Sequence, residues 1–69
     1  MNKHYKNADN IEAIDLIQAY NLNFNLGNAI KYVARCNYKG DKISDLRKAI
    51  WYLKKELEHE YKNNTTTIN

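Results

Sequence analysis

Proline is absent from the 69 residues, glycine occurs twice, and cysteine, methionine, tryptophan and phenylalanine occur once each. With no proline and little glycine, few positions interrupt a helix, so the expected fold class is all-α. The lone Cys36 cannot close an intrachain disulfide, which excludes a disulfide-stapled scaffold and points to a reducing, cytoplasmic compartment. No apolar run approaches the roughly 18 residues of a membrane helix, and the opening MNKHYKNADN lacks the apolar centre of a signal peptide, so a soluble, unprocessed chain is expected. Gly27 and Gly40 are isolated, outside any G-x-x-x-x-G-K-[ST] pattern, which excludes a P-loop kinase. The length leaves room for one domain and excludes a two-domain enzyme with its own cofactor fold. Such a short chain is marginally stable as a monomer, so self-association into a homo-oligomer is expected.

What is present reads as three helices. After a polar N-terminal arm carrying His4 and Tyr5, Asp9 or Asn10 is suited to cap a first helix over residues 11–20, with Ile11, Ile14, Leu16, Ile17 and Tyr20 at helical spacing. Glu12 and Asp15 then lie near its positive end. In the connection Asn21-Leu22-Asn23-Phe24-Asn25, Leu22 and Phe24 are expected to enter the core and Asn25 to cap the next helix. The second helix is expected over 26–36, with Leu26, Ile30 and Val33 in one stripe and Ala29 and Cys36 beside it. Its opposite side carries Asn28, Lys31, Tyr32 and Arg35 at i, i+3, i+4 and i+7. A turn through Lys39 and Gly40 follows, Gly40 being suited to a left-handed conformation. The third and longest helix is expected over 44–61, started by Ser44 or Asp45. Its residues Ile43, Leu46, Ile50, Leu53 and Leu57 form an a/d seam, fit to pack on the first two helices or on a second copy of the chain. The expected domain spans residues 1–62, with 63–69 a flexible polar tail.

Charge is segregated along this scheme. Residues 28–55 hold eight basic and two acidic side chains, a net of +6, whereas 9–27 hold three acids and no base, a net of −3. The basic half suggests an anionic partner. Among chemical readings, Cys36 with His4 or His59 would make a nucleophile pair, but a thiol on an amphipathic helix is more often a small core residue. Glu56-x-x-His59 supplies half of a di-metal bundle site, and Glu12-x-x-Asp15 has the carboxylate spacing of all-α pyrophosphohydrolases. Both have ordinary alternatives, a solvated face and helix-start acids respectively. Lys31, Arg35 and Lys48 are the best phosphate ligands, set against a plain solvated basic face. Six Tyr, one Trp and one Phe beside basic residues allow stacking on bases, but Tyr32, Trp51, Tyr52 and Tyr61 share helices with apolar stripes, where aromatics are more often packing than base platforms.

Several segments resemble one family: His4-Tyr5-Lys6, 11–15 (IEAID), 24–35 (FNLGNAIKYVAR), Lys39-Gly40 and 45–53 (DLRKAIWYL). Together they are similar to the small phage-encoded SaV-like domain of unknown function, over about residues 4–57. That domain also occurs in a larger podovirus nucleotide kinase which acts on deoxynucleoside monophosphates without a P-loop. The resemblance implies a polar signature at His4, Tyr5, Asn28, Lys31, Tyr32, Arg35, Lys39, Asp45, Lys48 and Tyr52. If the second and third helices fold antiparallel, these converge in a basic, Tyr-lined cleft. Lys31, Arg35 and Lys48 would hold phosphate, Tyr5, Tyr32 or Tyr52 would stack on a base, and Asn28 would read a base edge. Asp45 would orient a basic residue, or simply pair with Lys42 or Lys48 at the helix start. The implied function is nucleotide binding in the host cytoplasm, in nucleotide metabolism or as an anti-defence sequestration of a signalling nucleotide during host takeover.

The alternatives are a module that binds and modulates a host protein, and a P-loop-independent kinase working as an oligomer. Sixty-nine residues offer little to align two substrates, so binding is favoured over catalysis. No cofactor is expected beyond Mg2+ accompanying a nucleotide, and neither a resident metal, a membrane nor a specific nucleic-acid site. Alanine at Lys31 or Arg35 is expected to leave folding intact.

Overall fold

The computed structural model describes residues 11–38 and 40–68, with side chains through residue 64. Three helices follow one another: α1 (Ala13–Ala19), α2 (Phe24–Arg35) and α3 (Lys42–Ile68). Among the described residues there is no strand, and the domain is all-α.

Each helix begins two residues away from its expected start, for a local reason. The cap expected at Asp9 or Asn10, which lie outside the described residues, is taken by Glu12, whose N–H donates to the Asp15 carboxylate at 2.8 Å in a capping box. The Glu12-x-x-Asp15 pair is thus engaged in starting a helix. Helix α2 starts at Phe24 instead of Leu26, because Asn23, not Asn25, accepts from the Leu26 N–H at 2.9 Å. Helix α3 starts at Lys42 instead of Ser44, since the Asp41 carboxylate accepts from the N–H groups of Ile43 and Ser44 at 3.0 and 3.3 Å. Its backbone stays helical through Ile68, beyond the expected end at Tyr61. With no glycine or proline after Gly40, nothing in the sequence forces a stop, and adding residues to a formed helix is cheap.

The links between helices are tight. Helix α1 ends in a Schellman arrangement: Asn21 takes φ 53°, its N–H donates to the Gln18 carbonyl, and Leu22 N–H reaches the Ile17 carbonyl at 2.9 Å. Gly40, at φ 69°, makes the second reversal as expected. Helix α1 then packs on α2 at Gly27, where an added Cβ would stand 3.3 Å from Ile17 Cγ2. Helices α2 and α3 are antiparallel. Asn25 bonds Glu56 at one end, and Arg35 meets Asp45 at the other. The register fixed by those two contacts sets Ala29 opposite Tyr52 and Tyr32 opposite Ala49, a small residue against each aromatic. Ala29 and Ala49 are each 3% exposed, and with Cys36 they form the buried apolar core, consistent with Cys36 as a packing residue.

One packing expectation fails, and of the two partners expected for the α3 seam one is excluded. Phe24 is 74% exposed and does not enter the core: as the first residue of α2 it lies on the helix side, with its ring edge-on to Tyr52. The α3 seam does not pack on α1 and α2 either. The face that meets α2 is Asp45, Ala49, Tyr52 and Glu56, one helical position round from Leu46, Ile50, Leu53 and Leu57, all of which remain substantially exposed.

Candidate functional site

The antiparallel pairing brings six of the ten expected residues together: Lys31, Tyr32 and Arg35 from α2, and Asp45, Lys48 and Tyr52 from α3. Tyr32 is the centre. Its ring is stacked on that of Tyr52 with centroids 6.1 Å apart and planes 12° from parallel. Three cations converge on it: Lys31 Nζ at 4.7 Å from the centroid, Lys48 Nζ at 5.3 Å and the Arg35 guanidinium carbon at 5.7 Å. An aromatic face attracts a cation, by about 0.5–1 kcal/mol at an exposed site. Three cations about one ring also repel one another, so an anion placed among them would be favoured.

Among the described residues, one of the three is paired with a carboxylate. Arg35 Nε lies 3.4 Å from Asp45 Oδ2, and Asp45 is 3% exposed. Both atoms are sequestered from water and neither finds a hydrogen-bond partner, so the contact is a charge pair short of hydrogen-bond alignment. The charge partner of Asp45 is Arg35, not Lys42 or Lys48. Asn28 stands beside Lys31 on the same side of α2. Its amide NH2 donates to the Phe24 carbonyl at 2.9 Å, leaving the amide oxygen as its outward group. His4, Tyr5 and Lys39 lie outside the described residues.

The assembled set is a shelf, not an enclosed cleft. Three shallow, open grooves flank it, each sharing a residue with it. One is lined by Phe24, Trp51, Tyr52, Lys55 and His59, with a volume of about 500 Å³. A second runs past Phe24, Asn28 and Lys31, and the third past Arg47, Lys48 and Trp51. Phe24 and Trp51, expected to pack, are both exposed. Trp51 sits edge-on to Tyr52 at 5.0 Å, with Lys55 Nζ 5.3 Å above its ring. The signal that marks them is positional: Lys48, Trp51 and Lys55 repeat at three and four residues on the side that faces away from the a/d seam. Glu56 of the Glu56-x-x-His59 pair is occupied, accepting from the amides of Asn23 and Asn25 at 2.9 and 3.2 Å.

A family model described as a protein of unknown function, DUF3310, matches residues 1–54. The chain belongs to this family. The DUF3310 match takes in α1, α2 and the first half of α3, and all ten expected site residues fall inside it. No curated protein and no solved structure matches the chain.

Proposed function

We propose that this DUF3310 protein binds a phosphorylated nucleoside on the Tyr32 shelf, with Lys31, Arg35 and Lys48 holding phosphate oxygens and an exposed ring, Trp51 or Phe24, offering a face to the base. The observation that carries the reading is the convergence of three cations on one tyrosine ring, with a single carboxylate among them in the described residues. Lys31 and Lys48 are left to a ligand anion, and Arg35 is held in place by Asp45. The resemblance to the phage SaV-like domain adds a phage or prophage source, a host-cytoplasmic location and a role in nucleotide metabolism or in sequestering a signalling nucleotide. The openness of the shelf favours holding a nucleotide over transferring its phosphate, which needs two aligned substrates and exclusion of water. Mg2+ would enter with the nucleotide.

A thermal-shift screen against nucleoside mono-, di- and triphosphates and cyclic dinucleotides tests this. A ligand at 100 times its Kd stabilises by about 2.7 kcal/mol. A melting shift in the wild type that vanishes in Lys31→Ala and Lys48→Ala, whose unliganded melting temperatures stay at the wild-type value, is the expected result. A flat screen overturns the reading.

A further inference from the structure

The α2–α3 pair has two sides of opposite character. On α2, Asn28, Lys31 and Arg35 lie a quarter-turn to one side of the α3-facing line, and Leu26 and Val33 a quarter-turn to the other. Because α3 runs antiparallel, Lys48, Trp51 and Lys55 fall on the same side as the α2 cations, while Leu46 and Leu53 fall on the same side as Leu26 and Val33. Leu26 is half-buried, and helix α1 leaves Val33 and the α3 residues Leu46, Ile50, Leu53 and Leu57 exposed. Helix α1 docks at Gly27, on the far edge of α2 from α3, so the three helices lie in a row, and the Cα trace measures 26 by 14 Å across its length.

Such a row leaves an apolar face bare. Val33 is 50% exposed, Leu46 39%, Ile50 52%, Leu53 47% and Leu57 51%, and no large side chain among the described residues is fully buried. Folded domains bury an apolar helix face between two layers, and the described residues supply one. The charges along α3 say what the second layer is. Of the charges beside this face, Lys42, Arg47 and Lys54 lie along its first part and Glu60 near its far end, whereas Lys48 and Lys55 lie on the shelf side and Asp45 and Glu56 meet α2. Two parallel copies of α3 would set like charge on like. Two antiparallel copies set the basic half of each against the acidic end of the other.

We infer that the Leu46, Ile50, Leu53 and Leu57 face is covered by the same face of a second copy, with the two α3 helices antiparallel about a two-fold axis. In the a-to-d register of an antiparallel pair, Leu46 meets the partner subunit's Leu57, Ile50 meets the partner subunit's Leu53, and Lys42 lies near the partner subunit's Glu60. The interface is isologous, as closed two-fold symmetry requires. The shelf, on the opposite side of each chain, faces outward in the dimer. The inference therefore stands independently of what the shelf binds.

Two measurements decide it. Light scattering after size exclusion should give twice the mass of one chain, and the melting temperature should rise with protein concentration. In a Cys36→Ala background, Leu46→Cys protein mixed with Leu57→Cys protein should form a disulfide-linked pair on oxidation, while either alone stays unlinked, because each residue meets the other type across the axis. The cross-link still reports if a charge variant such as Leu53→Lys fails to fold. A monomeric mass with a concentration-independent melt overturns the proposal, and so does cross-linking of each single-cysteine protein with itself, which would mean a parallel pair.

Discussion

Asp45 is an acid with almost no access to water whose one charge partner, the Arg35 side chain, is about one-third exposed. Removing either member of a buried ion pair leaves the other uncompensated, but the two losses are unequal when one member can turn to solvent and the other cannot. Arg35→Ala strands a buried carboxylate and should cost about 3 kcal/mol in urea unfolding. Asp45→Asn leaves a guanidinium that can rehydrate and a neutral amide in place of the acid, and should cost about 1 kcal/mol. Equal losses would mean that Asp45 does not depend on Arg35. The same asymmetry corrects the expectation that alanine at Arg35 leaves folding intact: its guanidinium serves the fold as well as the shelf. Lys31 and Lys48, each over the Tyr32 ring face, separate ligand binding from stability.

At the scale of helices, three asparagines in five residues do three different jobs, and only their polarity is legible from the sequence. Asn21 takes a left-handed conformation after α1, Asn23 caps α2, and Asn23 and Asn25 together donate to Glu56 on α3. Asn23 therefore starts one helix and fastens another. Asn23→Ala should cost about 1 kcal/mol for the cap, with a further loss of up to about 1 kcal/mol for the link to Glu56, whereas Asn25→Ala loses only the link. Denaturant midpoints of the two variants with unchanged slopes would measure this, and equal midpoints would refute the capping role. Three helices, the Gly40 reversal and the polar side of α2 could all be read from spacing, because i, i+3, i+4 periodicity is a property of the sequence itself. Which face of α3 meets α2 could not. The most apolar stripe was the natural choice, yet α2 presents Ala29, Cys36 and two groups that seek polar or aromatic partners, Asn25 and Tyr32. The complementary face of α3 is therefore Glu56, Tyr52, Ala49 and Asp45. Phe24 and Trp51 were misplaced for the same reason, since hydrophobicity alone does not say which side of a helix pair a ring occupies.

For the molecule as a whole, the segregation of one side from the other links the fold to both proposals. An antiparallel dimer through the apolar side would present two Tyr32 shelves on opposite outer surfaces, each built from one chain's residues and neither near the two-fold axis. Binding should then be independent at the two sites. Titration calorimetry with the best ligand of the nucleotide screen should give one ligand per chain and a single hyperbolic isotherm, with affinity falling as salt screens the phosphate contacts of Lys31 and Lys48. A kinase-like site completed by a neighbouring subunit would behave differently. Its ligand would straddle two chains, the stoichiometry would drop to one per dimer, and affinity would weaken on dilution as the dimer dissociates. One ligand per dimer would thus move the site from the shelf to the interface, because residues that face outward on opposite surfaces cannot share a nucleotide.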